Sequence, residues 1–127
     1  FSVEKHDREI LNDPQTYVID PGGQIFMAIW DGTAAGTVAM IPSGEGVFEL
    51  TKMAVSPEFQ GKGIANYLMT ASIDFAREQQ ANHIFLESHR KLQPALALYR
   101  KFDFVEVPTD PNSEYARADI RMELAIS

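Results

Sequence analysis

The chain predicts an α/β fold on a mixed sheet: an antiparallel meander, then the order β-α-β-α-β-β, with helices on both faces. Three observations predict it. Turn signals cut the first half into short apolar segments. After Ser56-Pro57 the apolar spacing switches from two to about 3.6 residues. The last segment alternates apolar and polar residues, as a strand with one buried face does.

Taken in order, Phe1 to Asp13 is polar with apolar Val3, Ile10 and Leu11, and reads as the end of a helix stopped by Asp13-Pro14. Pro21-Gly22-Gly23 marks a turn before the aromatic-rich strand Gln24 to Trp30. Asp31-Gly32-Thr33 is a hairpin signal leading into a strand over Gly36 to Ile41. Pro42 to Gly46 turns the chain into a third strand, Val47 to Val55. Alternation places Phe48, Leu50 and Lys52 on one face and Glu49, Thr51 and Met53 on the other.

From Gly63 to Gln80 the apolar residues Ile64, Leu68, Ala71 and Phe75 recur at helical spacing. His83 to Glu87 reads as a buried strand through Ile84-Phe85-Leu86, and Leu92 to Phe102 as a second helix. Phe104 to Val107 is a short strand ended by Pro108, and Thr109 to Glu114 a polar loop. Ile120, Met122, Leu124 and Ile126 then face one side of the final strand.

Composition narrows function. The 127 residues are 45% hydrophobic and 23% charged, with no repeat or linker, so we expect residues 1–127 to form one domain. Since the first residue is Phe rather than Met, we expect a trimmed or domain-cut chain. The absence of Cys excludes thiolate nucleophiles, disulfide frameworks and Cys-based metal sites. The three His residues are too scattered for a paired metal motif, so no metal is expected. Without an apolar run of ~18 residues or a signal-peptide core, no membrane association is expected and the location expected is cytoplasmic. Eleven Lys and Arg against 18 Asp and Glu give a formal net charge of −7. That balance disfavours nucleic acid, whose phosphates need clustered cations, and favours a cationic partner.

The densest chemical signal is Val55-Ser56-Pro57-Glu58-Phe59-Gln60-Gly61-Lys62-Gly63-Ile64-Ala65. A buried strand ends, the chain turns, and two glycines open a long helix. The first turn of a helix leaves four N–H groups unpaired, and glycines let a ligand approach them. With the helix dipole this forms an anion site suited to phosphate or pyrophosphate. A Walker A loop fails twice here: Ser56 stands at its first Gly, and Gly63 follows the Lys. The dinucleotide fingerprint meets Asn66 at its third Gly and lacks the βαβ context it requires.

The spacing Gln60-x-x-Gly63-x-Ala65 resembles the pyrophosphate loop of the GNAT family of N-acetyltransferases, Arg/Gln-x-x-Gly-x-Gly/Ala, which binds acetyl-coenzyme A. Three further stretches are similar to that family in order. Phe48 to Val55 resembles its central strand. Ala95-Leu96-Ala97-Leu98-Tyr99-Arg100-Lys101-Phe102-Asp103-Phe104 resembles its Ala-x-x-Leu-Tyr-x-Lys-x-Gly-Phe helix. Tyr115 to Leu124 resembles the last strand of small bacterial members. The likeness covers about Gln24 to Leu124 and implies that the family's first strand and part of its first helix precede Phe1. Two positions depart from the pattern. Asp103 replaces the Gly of the Gly-Phe pair, so an Asp must take a turn or left-handed conformation there. Leu92 stands where many relatives carry a cofactor-contacting Asn.

The resemblance implies acetyl transfer from acetyl-CoA, a co-substrate, to the primary amine of a small molecule or peptide. Gln60, Gly61, Lys62, Gly63, Ile64 and Ala65 would hold the pyrophosphate, with Lys62 either a charge contact or a solvated side chain. The backbone of Met53, Ala54 and Val55 would pair with the pantetheine arm, and an N–H near Val55 would polarise the thioester oxygen. Tyr99 would be the acid that protonates the leaving thiolate, against a core aromatic with a partnered hydroxyl. Glu49 would be the base, against an exposed strand carboxylate. Glu87, Ser88, His89 and Arg90 are candidates for lining the acceptor cleft. Relatives are often dimers, so a homodimer belongs among the expectations. A second reading keeps the fold and the cofactor without chemistry, as a non-catalytic acyl-CoA-binding or regulatory module.

Overall fold

The computed structural model describes residues 2–6, 22–109 and 118–126. Their strands are β1 (Ser2–His6), β2 (Gln24–Trp30), β3 (Thr33–Pro42), β4 (Val47–Val55), β5 (His83–Ser88), β6 (Val105–Val107) and β7 (Ile120–Ala125). The helices are α1 (Ile64–Glu78) and α2 (Gln93–Lys101), with a 3₁₀ turn at Pro57–Phe59. All seven strands join one sheet in the order β1-β2-β3-β4-β5-β7-β6. The meander β2-β3-β4 is antiparallel, and β4–β5 is the sole parallel pair among the described strands. Parallel neighbours need a crossover, and α1 supplies it.

The alternating and helical patterns place these elements within a few residues of their expected positions. The first segment is a correction. Residues 2–6 form an edge strand paired antiparallel to β2, Ser2 opposite Ile29 through His6 opposite Ile25, and not a helix end. Five residues are too short for periodicity to decide, and the exposed edge of β2 decides instead. The remainder of that expected helix, and the loop and strand approach over 110–117, lie outside the described residues.

Helix α1 buries Ile64, Leu68, Met69, Ile73, Phe75 and Ala76, and each of these except the small Ala76 contributes roughly 1.5–3 kcal/mol when removed from water. Phe75 meets Phe26 and Phe48 edge-on, with ring centroids 6.0 and 5.3 Å apart. Ser72, fully buried, donates its hydroxyl hydrogen bond to the Leu68 carbonyl at 2.9 Å. From α2, Leu96 and Tyr99 join the same apolar cluster.

Two helix ends are closed by the same device. In α2 the N–H of Phe104 reaches the Tyr99 carbonyl at 3.1 Å, and that of Asp103 reaches Arg100 at 3.0 Å. This is a Schellman motif, which needs a left-handed residue after the cap. Asp103 provides it at φ +72°, as its place in the sequence requires. Gln80 does the same for α1 at φ +58°.

Strand β4 departs from strict alternation. Thr37 opposes Ala54 while Ala39 opposes Thr51, so Lys52 and Met53 together face Val38. This is a β-bulge, with Lys52 left-handed at φ +57°. The bulge ends the face assignment expected for Lys52 and Met53. On its other edge β4 has already parted from β5, whose parallel pairing stops at Glu49 opposite Phe85, three residues before the bulge.

Candidate functional site

The divergence of β4 from β5 opens a cleft of about 840 Å³ walled by Leu50 to Met53 on one side and Glu87 to His89 on the other. Lys91, Leu92, Tyr99 and Ala118 complete its described lining. A second groove, about 410 Å³, runs from Met53, Ala54 and Val55 past Gln60 to Asn66 and along Pro94, Ala95 and Leu98. Met53 and Tyr99 line both. A molecule lying in the groove can therefore meet one lying in the cleft beside Tyr99.

At the far end of the groove, Gly61 and Gly63 are left-handed at φ +80° and +79°, and Gly63 is the N-cap of α1. A Cβ built on either would touch nothing within 4 Å, so the space before them is open. No side chain caps the helix, and among the described residues no acceptor meets the N–H groups of Gly61 to Asn66. Unpaired donors at a helix start attract an anion. The groove's described lining contains no charged side chain, so recognition of an anion there falls to backbone and dipole.

Two residues of the loop also make contacts within the chain. The Gln60 amide donates to the Val55 carbonyl at 3.3 Å, which ties the loop to the end of β4. The Lys62 ammonium lies 5.5 Å from the centroid of the Trp30 ring, and Trp30 packs on Phe59 at 6.0 Å. Lys62 is exposed and makes a cation–π contact with the end of β2.

Tyr99 sits in the last turn of α2, buried at 8% exposure, its ring 6.1 Å from that of Phe104. The Schellman turn that brings Phe104 back over Tyr99 fixes that contact. Burial raises the phenol above its ordinary value of 10.0, so it keeps its proton at neutral pH. A protonated phenol at the junction of groove and cleft can donate to an atom in either.

Glu49 is half-buried on β4 between Ile41 and Phe85 and lines neither cavity. It stands at the root of the cleft, on the last paired rung before the strands part. Glu87, two residues beyond Phe85, does line the cleft, as do Ser88 and His89. Arg90 does not. Its guanidinium forks onto Glu106, which holds the Glu106 carboxyl below the usual range and raises the guanidinium. Asp119 fastens the loop between them. It accepts the Arg90 N–H at 2.7 Å and lies 3.6 Å from His89 Nε2. Lys52 and Lys91 were not singled out by the sequence, because a bulge and a turn, not periodicity, bring them to the cleft. Among the described residues no three His, Asp or Glu side chains gather as metal ligands would, and no helix is long and apolar enough to cross a membrane.

A seven-stranded mixed sheet splayed at its parallel junction, with an uncapped glycine-led helix below the splay, defines a GNAT-type acyltransferase fold. The chain belongs to the acetyltransferase (GNAT) family, whose model matches residues 1–104. It is 36% identical to streptothricin acetyltransferase of Streptomyces lavendulae over 87 residues, which is 67% of this chain and 46% of that protein. The chain thus spans about half the length of that relative. The crystal structure of nourseothricin acetyltransferase matches with a TM-score of 0.74 and 30% identity over 85% of this chain and 68% of that one. A Bacillus subtilis acetyltransferase in complex with CoA shares the fold at a TM-score of 0.76 and 20% identity, covering 98% of each chain.

Proposed function

We propose that this protein is an N-acetyltransferase that uses acetyl-CoA to acetylate the primary amine of a small molecule or peptide by direct attack. One observation carries the reading: Met53 and Tyr99 line both the anion-suited groove and the cleft, so a thioester in the first meets an amine in the second. The open donors of Gly61 to Asn66 fit a pyrophosphate, and the uncharged wall along Pro94, Ala95 and Leu98 fits a long neutral arm. That a fold neighbour was solved in complex with CoA supports the same fit.

Acetyl-CoA supplies an activated acyl group on sulfur. The chain's part is to position and to move protons. The loop Gln60 to Ala65 holds the phosphates, and the backbone of Met53 to Val55 aligns the arm as an added strand. An N–H near Val55 polarises the carbonyl oxygen. Glu49, at the cleft root, takes the ammonium proton through water; the carboxylate both attracts the cation and relays its charge. The nitrogen lone pair forms the C–N bond, the C–S bond breaks, and the Tyr99 phenol gives its proton to the departing sulfur. The proton shed by the new amide nitrogen leaves by the cleft, and the phenol is restored from solvent. We place the protein in the cytoplasm, working without a metal.

The test is release of free thiol from acetyl-CoA with a panel of primary amines, each acetylated product confirmed by mass. The reading predicts one mole of acetylamine per mole of thiol. Acetyl-CoA binding without transfer to any amine would favour the alternative, a non-catalytic acyl-CoA-binding module of the same fold.

A further inference from the structure

The bulge in β4 places a lysine where the backbone disfavours one. Lys52 is left-handed at φ +57°, a conformation in which its Cβ crowds the following carbonyl. Bulges re-aim a side chain, and outliers of this kind cluster at ligand clamps. The re-aimed Lys52 lines the cleft. Across from it stands Lys91, in the turn closed by the Leu92 N–H to the His89 carbonyl at 2.9 Å. That turn is held from two sides. His89 Nδ1 accepts the Lys91 N–H at 3.2 Å, and Asp119 accepts the Arg90 N–H at 2.7 Å.

Neither ammonium meets a carboxylate among the described residues, although cations nearby are occupied. Arg90 is paired with Glu106, Arg121 lies 3.5 Å from Glu123, and Lys101 donates to Asn66 at 2.7 Å. The described lining of the cleft therefore carries two ammonium groups and one carboxylate, that of Glu87. This is a local excess of positive charge on a chain whose formal net charge is −7. At long range the protein attracts a cation, while at the cleft itself a polycation would meet two like charges.

The geometry points to an acceptor that carries a carboxylate or phosphate beside its amine, the anion held between Lys52 and Lys91 and the ammonium facing Glu87. This inference rests on the acetyl-transfer reading of the same cleft, and it names the acceptor class. Each charge-assisted contact of this kind changes affinity by roughly tenfold or more.

The experiment compares acceptors that differ only in the anion. Free L-amino acids are set against their amides, and O-phosphoethanolamine against ethanolamine, all with saturating acetyl-CoA and thiol release as readout. The expected result is a kcat/KM about tenfold or more higher for the anionic member of at least one pair. The pair that shows it distinguishes carboxylate from phosphate. In a Lys52→Asn, Lys91→Gln double variant that preference should collapse toward unity, through a rise in KM for the anionic member. Asn tolerates the left-handed conformation, and calorimetric binding of acetyl-CoA verifies that the variant is folded. Equal or better use of the neutral members overturns the inference, as does acetyl-CoA binding with no transfer to any anionic amine. Failure to bind acetyl-CoA at all would instead bring down the acetyl-transfer reading on which it stands.

Discussion

Changing Tyr99 to Phe removes one oxygen and leaves the ring in place. The ring is what packs: it is 8% exposed, sits 6.1 Å from Phe104, and is fixed by the Schellman turn at the end of α2. Deleting a hydroxyl from such a site changes stability by about 1 kcal/mol or less. The same oxygen, if it protonates the leaving sulfur, contributes ~10²–10⁴-fold to the rate. That corresponds to about 3–5 kcal/mol of transition-state stabilisation. Tyr99→Phe should therefore lower kcat by two to four decades while acetyl-CoA affinity stays within about twofold. The chain contains no cysteine, so a chromogenic disulfide reagent reports only the thiol released from coenzyme A. A kcat within threefold of the parent, with folding and binding intact, would refute the role assigned to Tyr99.

Burial holds the Tyr99 phenol above 10.0, so the folded chain keeps a proton that the unfolded chain has begun to lose. Stability from this residue is therefore full below pH ~10 and declines as pH rises through the folded value, which denaturant midpoints between pH 8 and 11 should show less steeply in Tyr99→Phe. Asp103→Gly relieves a side chain at φ +72° and should stabilise the fold by about 0.5–1 kcal/mol, raising Tm by roughly 2–6 °C in a thermal melt. Glu49→Gln should lower kcat by ~10²-fold or more near neutral pH, with partial recovery at higher pH, where the amine arrives deprotonated. A pH–rate profile unchanged by that substitution would move the base elsewhere in the cleft.

Much of this molecule is legible in its sequence where a residue's local chemistry decides the outcome. The segments Gln24 to Trp30 and Val47 to Val55 appear as strands with the same limits, since alternation and flanking turns fix them. The helix from Ile64 follows from its apolar spacing, and the loop before it from glycines that few other residues could replace. What escaped depends on partners distant in sequence. Ser2–His6 becomes a strand only because β2 offers an edge. Lys52 is turned by the register of β3, not by its neighbours. Lys62 finds Trp30, thirty-two positions earlier, and Arg90 finds Glu106 rather than the cleft. Tyr99 is the converse case. Periodicity alone would make it a core aromatic, and the structure gives it both a packed ring and a place between two cavities.

The central claim is that the glycine-led start of α1 holds the phosphates of acetyl-CoA. Isothermal titration of acetyl-CoA into the parent chain and into Gly63→Asp addresses it directly. Asp tolerates the left-handed conformation, and nothing lies within 4 Å of its Cβ, so the variant should fold. Its carboxylate, however, projects a negative charge into the proposed phosphate site. The account predicts a Kd of micromolar order or tighter for the parent and a loss of about a hundredfold or more in the variant. Equal affinities, or no heat from the parent at millimolar acetyl-CoA, would contradict it.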